Sequence, residues 1–242
     1  MSKTLSRIVA AILISAAAVG PAKAYQVSPM SYVLAPSGQQ SSRRLTVDNT
    51  DANPIDLEIK VFSVQVDENG KRTFTPADDQ FLVFPVQATV QPGKSQSFQV
   101  RYIGEPHVDT GRIYVVKVQQ LNVTYVTREL EPGKTSKIAL TTNFNTTAVV
   151  QSPKAKSALS ISQNLQPDGH GHVTALVNNS GDGVADLADA GWQLVRGGHA
   201  EPLPGDKVKY GETSKLAPGA SRWLFVDPKL ADGASLTLPV GR

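Results

Sequence analysis

The sequence predicts an all-β protein built from two sandwich domains. Three observations carry that prediction: hydrophobic residues recur at every second position, turn residues interrupt them at short intervals, and the chain contains a faint internal repeat. The 242 residues are 40% hydrophobic with 19 glycines and 16 prolines, a composition that supports packed cores rather than disorder. There is no cysteine. Its absence excludes a disulfide scaffold, a thiolate zinc site and a cysteine nucleophile together.

Residues 1–24 read as a cleavable secretory signal. Lys3 and Arg7 precede an apolar run from Ile8 to Val19, Gly20-Pro21 breaks it, and Ala22-Lys23-Ala24 places small residues where a signal peptidase cuts. The apolar run is too short to cross about 30 Å of hydrocarbon, so no membrane anchor is expected. In a double-membraned bacterium the address is the periplasm or beyond. Removing Lys3, Arg7 and Lys23 from the 24 basic residues leaves 21, equal to the 21 acidic ones. The mature chain therefore has no net charge and no basic cluster to neutralise phosphates, which excludes a nucleic-acid partner.

From Tyr25 onward the pattern has period two. Leu57, Ile59 and Val61 alternate, then Phe62, Val64 and Val66 continue on the other phase, which predicts a β-bulge near residues 61 and 62. Asn69-Gly70 predicts a type I′ hairpin turn, with Thr73 to Thr75 as the returning strand. Further strands are expected at Phe98, Val100 and Tyr102, over residues 113–121 and over residues 138–150.

The repeat sets the domain organisation. Val47-Asp48-Asn49-Thr50 is echoed by Val177-Asn178-Asn179-Ser180, and Pro92-Gly93-Lys94-Ser95 by Pro218-Gly219-Ala220-Ser221, in the same order and at similar spacing. Each element alone is a common turn; together they argue for two related domains. With a boundary at Ser152-Pro153, the expected division is a signal peptide at 1–24, a first domain at 25–151 and a second at 152–242, each the size of an immunoglobulin-like sandwich.

Catalytic chemistry finds no support. His170 and His172, in Asp168-Gly169-His170-Gly171-His172, fit a hairpin turn better than a metal site. His107 and Asp109 lie between glycines, without a nucleophile elbow, and fit a solvated loop. No phosphate-cradling loop or metal-binding spacing is present. Neither a cofactor nor a small-molecule substrate is expected, and the protein is not read as an enzyme. Asn122, Asn145 and Asn178 open glycosylation triplets that matter only in a eukaryotic secretory pathway.

The strand expected over 138–150 asks for a partner. Ile138, Leu140, Thr142 and Phe144 share one face, and residues 122–137 lead into it as a long loop carrying Val123, Val126 and Leu130. An alternating apolar strand at a sheet edge is an aggregation hazard, so a protein that keeps one uses it to pair with a partner strand.

These residues resemble a known family. Phe84-Pro85-Val86-Gln87, the run from Val90 to Tyr102 (VQPGKSQSFQVRY), Tyr114-Val115-Val116-Lys117-Val118 and Ile138-Ala139-Leu140 are similar to the periplasmic chaperones of chaperone–usher pilus assembly. The likeness covers most of the first domain, and in the second it rests on size, order and the repeat. It implies two immunoglobulin-like domains in an L-shaped arrangement, pilin subunits and an outer-membrane usher as partners, and residues 112–121 and 137–150 as the F and G strands. It also implies donor-strand complementation, in which Ile138 and Leu140, continued by Thr142 and Phe144, fill the groove of a pilin lacking its last strand. The sequence departs from the classical members, which hold the pilin's terminal carboxylate with an Arg on the first strand and a Lys on the G strand. Residues 25–34 contain neither, and Asn145 stands at the lysine position. That absence resembles the archaic, Csu-like branch and leaves Arg101, with Asn145, as candidate contacts for the subunit terminus. The alternative reading is a secreted structural or adhesive β-sandwich protein or a pilus component.

Overall fold

The computed structural model describes residues 25–131 and 134–239. The signal segment at 1–24 lies outside the described residues.

The first sandwich is made by β1 (Gln26–Ser28), β2 (Ser31–Leu34), β3 (Ser42–Asp48), β4 (Ile55–Val66), β5 (Arg72–Pro76), β6 (Phe81–Phe84), β7 (Gln87–Val90), β8 (Ser95–Tyr102), β9 (Arg112–Gln120), β10 (Thr124–Glu131), β11 (Lys134–Leu140) and β12 (Asn143–Val150). One sheet runs β1-β3-β8-β6; the other runs β2-β12-β9-β4-β5, with β7 also on β4. Alternating aliphatic and aromatic residues fill the space between them: Leu45, Val47, Phe98 and Val100 from one sheet meet Leu57, Ile59, Val61, Val116 and Val118 from the other. The first segment serves both sheets. β1 pairs antiparallel with β3, and β2 pairs parallel with β12 from Ser31 opposite Thr147 to Leu34 opposite Val150.

The second sandwich contains β13 (Leu159–Pro167), β14 (Val173–Asn179), β15 (Ala185–Asp186), β16 (Gln193–Arg196), β17 (His199–Pro202), β18 (Val208–Lys209), β19 (Lys215–Leu216), β20 (Ser221–Val226) and β21 (Ser235–Thr237). Its sheets are β13-β14-β20-β18, β17-β16-β21 and the short pair β15-β19, around a separate core that includes Val177, Leu187, Trp192, Leu194, Leu216 and Leu224. Asp168 closes the β13–β14 turn by accepting the amides of His170 and His172 at 2.7 and 3.0 Å, as a hairpin turn requires. His107 and Asp109 are exposed in the segment between β8 and β9.

Two local expectations are corrected. β4 has no bulge: its register against β9 is unbroken from Leu57 to Ser63. The phase changes because β4 serves two cores. Its residues up to Val61 face the sandwich, whereas Val64 and Val66 join Ile113 and Val115 on the opposite face, where Val184 and Ala217 of the second half cover them. The β4–β5 turn is not type I′, since Gly70 has φ 81° but no non-glycine residue has positive φ. Asp67 instead accepts the Gly70 amide at 3.0 Å, a type I turn closed by a left-handed glycine.

That turn docks on the second half. Gly70 O accepts the Glu212 amide at 3.0 Å, Glu68 O accepts the Trp223 amide at 2.8 Å, and Arg72 pairs with Glu212 at 3.2 Å. Arg222, fully buried behind the contact, donates through Nη1 to the Tyr210 and Thr213 carbonyls, both at 2.8 Å, and so holds the segment against which the turn rests.

Candidate functional site

β9 and β12 pair antiparallel from Arg112 opposite Val150 to Gln119 opposite Asn143. Beyond that point the ladder is interrupted and resumes as β10 against β11, with Thr124 opposite Leu140 and Val126 opposite Ile138. Two expectations change here. Of the range expected as a loop, 122–137, residues 124–131 and 134–137 are strand. The strand expected over 138–150 is two strands, broken at Thr141 and Thr142.

The break is closed by side chains that imitate backbone. The Gln120 amide donates to Asn143 Oδ1 at 3.2 Å, and the Thr142 amide donates to Gln120 Oε1 at 3.1 Å. Tyr25 OH donates to the Thr142 carbonyl at 2.7 Å and to the Val118 carbonyl at 3.2 Å. Asn122 Oδ1 accepts the Asp56 amide at 3.0 Å while its Nδ2 donates to Pro54 O at 2.9 Å. The outer hairpin is thereby anchored to the inner one without a continuous ladder. Burial pushes the Tyr25 phenol's pKa up, so it stays a hydrogen-bond donor at neutral pH.

On the side away from β9 and β10, β2 covers β12 only from Thr147 onward. Among the described residues, β11 and positions 143–146 of β12 have no strand on that side. This is an open edge of main-chain donors and acceptors.

The four residues expected on one donating face are not equivalent. Leu140 is 49% exposed and lies close in register to the exposed Leu121 and Val123. Ile138 is placed by its backbone, opposite Val126; its side chain lies outside the described residues. Thr142 is half-buried and its backbone is engaged by Gln120 and Tyr25. Phe144 packs on the first core, with its ring edge-on to Tyr25 at 4.8 Å between centroids. It is partly covered by its own domain because Tyr25, itself buried, fills the mouth of the sandwich there.

Arg101 and Asn145 do not form one site. Arg101 lies on the outward face of the β1-β3-β8-β6 sheet, between buried Val100 and Tyr102, whereas Asn145 is on the outward face of the opposite sheet. Strand alternation places the whole sandwich between them. A cation does stand beside Asn145: Lys117 of β9 is directly opposite it, with Lys60 of β4 next in the same row. Lys60 pairs with Glu58 at 3.0 Å, while Lys117 has no ion pair among the described residues. Tyr25, Gln120 and Lys117 were not singled out by the sequence reading. The only signal for Lys117 is that it breaks the apolar run from Ile113 to Val118 at an outward position.

No protein-family model matches the chain, and no curated protein sequence does. Solved structures share the fold. The chaperone–tip adhesion subunit pre-assembly complex CsuC–CsuE, from archaic chaperone–usher Csu pili of Acinetobacter baumannii, matches with a TM-score of 0.54 at 12% identity, over 86% of this chain and 89% of that one. The Salmonella enterica complex of SafA pilin with the SafB chaperone matches with a TM-score of 0.55 at 16% identity, over 85% of each chain. The class 5 fimbriae chaperone CfaA matches with a TM-score of 0.54 at 11% identity, over 90% of this chain and all of that one. The chain thus has the fold of pilus chaperones, two linked immunoglobulin-like sandwiches.

Proposed function

We propose that this protein is a non-enzymatic periplasmic chaperone that binds incomplete pilin subunits and delivers them to an outer-membrane usher. The observation that carries the reading is the open edge of β11 and β12 beside exposed Leu140, in a fold shared with pilus chaperones. An incoming subunit strand would take its main-chain hydrogen bonds from that edge and bury Leu140 and the apolar residues around it. Ile138 and Leu140 would fill the subunit's groove; Thr142 and Phe144 would mark the inner limit of the contact, where Tyr25 already occupies the space. Asn145 and Lys117 would meet polar or anionic groups at the end of the subunit strand, in place of the Arg/Lys pair the chain lacks. The signal at 1–24 supplies the route to the periplasm, and release would follow strand exchange, with no nucleotide or cofactor.

The test is to purify the mature protein from the periplasm of its own source while pili are being made, and to identify what accompanies it. A one-to-one complex with a small secreted β-rich subunit supports the proposal. Recovery as a lone monomer, or as a polymer of itself, overturns it in favour of a structural or adhesive protein.

A further inference from the structure

The outward face of the β1-β3-β8-β6 sheet lies on the other side of the sandwich from the open edge. Its side chains fall in rows across the strands. Ser42, Arg101 and Leu82 form one row; Arg44, Gln99 and Phe84 form the next; Ser28, Thr46 and Ser97 form the third. Those three rows hold no carboxylate. The nearest, Asp48, stands one row further on and accepts the hydroxyl of Ser95. Arg44 and Arg101 are exposed and have no ion pair among the described residues. They are diagonal neighbours on adjacent strands, about 7–8 Å apart. Beside Arg44 is a shallow concavity of about 490 Å³ lined by Ser28, Ser42, Arg43, Arg44, Thr46 and Gln99, again without an acid.

The same face carries apolar groups that water does not favour. Leu82 is 56% and Phe84 74% exposed on β6, which is the edge strand of this sheet. Unneutralised guanidinium groups, hydroxyls and amides that donate to oxyanions, and two bare apolar side chains together describe a docking surface. Its charge selects an anionic occupant. The unpaired edge of β6 argues for a polypeptide over a lipid surface, because hydrocarbon would leave those main-chain groups without partners, whereas an extended segment supplies them.

We infer that this face binds an extended acidic segment of a second protein, its carboxylates on Arg44 and Arg101 and its apolar side chains on Leu82 and Phe84. The occupant differs in chemistry and position from the strand received at β11 and β12, so both can be held at once, and the inference stands independently of the proposed function.

The experiment uses the full mature chain and three probes: a labelled short peptide of repeating Asp-Ser-Val-Ser, which sets Asp and Val on one face of an extended chain, the same peptide with Asn for Asp, and vesicles of phosphatidylglycerol in phosphatidylcholine. The Asp peptide should bind, weaken with added salt, and lose about tenfold in affinity in the double variant Arg44→Glu/Arg101→Glu. The Asn peptide should bind no better than that variant does. Phe84→Ser should weaken binding while leaving its salt dependence intact, and Leu140→Asp should leave binding unchanged. All four positions are exposed, and circular dichroism of each variant verifies the fold. Equal binding of the Asp peptide to the Arg variant, loss of binding in Leu140→Asp, or binding of the vesicles in preference to the peptide overturns the inference.

Discussion

Asn49 and Asn179 do the same work in two different sandwiches. Each is buried at the end of a core strand, donates its Nδ2 to the carbonyl four residues on (Asn53 at 2.8 Å, Gly183 at 2.8 Å), and accepts at Oδ1 the amide two residues on (Asp51 at 2.9 Å, Gly181 at 3.2 Å). Each Nδ2 also crosses the sandwich to the carbonyl two residues before the repeated Pro-Gly, that of Val90 at 2.8 Å or Leu216 at 3.2 Å. Backbone follows suit. Gly93 and Lys94 bond to Asn49 as Gly219 and Ala220 bond to Asn179. The repeated sequence elements are therefore the two halves of one contact, made once per sandwich.

Asn179→Ala should destabilise the second sandwich by about 3 kcal/mol, because it strands buried carbonyl and amide groups that water cannot reach. Both tryptophans, Trp192 and Trp223, lie in that half. Their fluorescence in a urea titration should report the loss, while Asn49→Ala should leave the tryptophan transition nearly unmoved and lower the one followed by far-UV circular dichroism.

Gly70 and Gly211 fix how the halves meet. A Cβ on Gly70 would stand 2.2 Å from the Tyr210 carbonyl oxygen, and one on Gly211 would stand 2.5 Å from that of Asn69; both glycines also have positive φ. Gly211→Ala should push the turn off its seat and cost about 2 kcal/mol. Small-angle scattering should then show an expanded particle.

Leu140→Asp should leave the melting temperature within a degree or two and weaken subunit capture at least tenfold, since the side chain is 49% exposed in the free protein but would be buried by the partner. Pull-down of the co-purifying subunit measures it. Capture at wild-type strength would exclude the β11 edge as the donor.

Tyr25→Phe keeps the ring against Phe144 and removes the hydroxyl that joins Val118 to Thr142. The expected cost is about 1 kcal/mol. Amide exchange at residues 142–144 should quicken while that of the β4–β9 ladder stays as it was.

Alkali should unfold the first sandwich. Burial pushes the phenols of Tyr32 and Tyr114 up to about 12 from an ordinary value of 10.0. The folded state therefore prefers the neutral form; its advantage is complete below pH 10 and is lost as the pH rises from 10 to 12. Tyr114→Phe should narrow the difference between stability at pH 9 and pH 12, as read by urea titration at each pH.

Much of the architecture was legible because strands and turns are local. Asn69-Gly70 marked the β4–β5 hairpin, the repeat marked two sandwiches, and Asp168 with its glycines marked a turn. One error was local, the turn type, because Asn69 lacks the positive φ that type I′ needs; the others fell where a residue's partner is distant in sequence. The phase change at Val64 looked like a bulge because nothing nearby reveals that Val184 and Ala217 lie on the other face of β4. Residues 122–137 looked like a loop because an irregular join at Gln120 and Asn143 interrupts the period.

For the candidate site, the chain itself marked the strand and Leu140, because period two is a property of neighbours along the backbone. Which stretch of that strand is open was decided elsewhere: β2 begins at Ser31 opposite Thr147 and covers β12 only from there on, and Tyr25 closes on Phe144 from more than a hundred positions away. The separation of Arg101 from Asn145, and the placement of Lys117 beside the latter, likewise come from sheet order and register. Alternation assigns a side chain to one of two faces, but only the assembled sheets determine what each face meets.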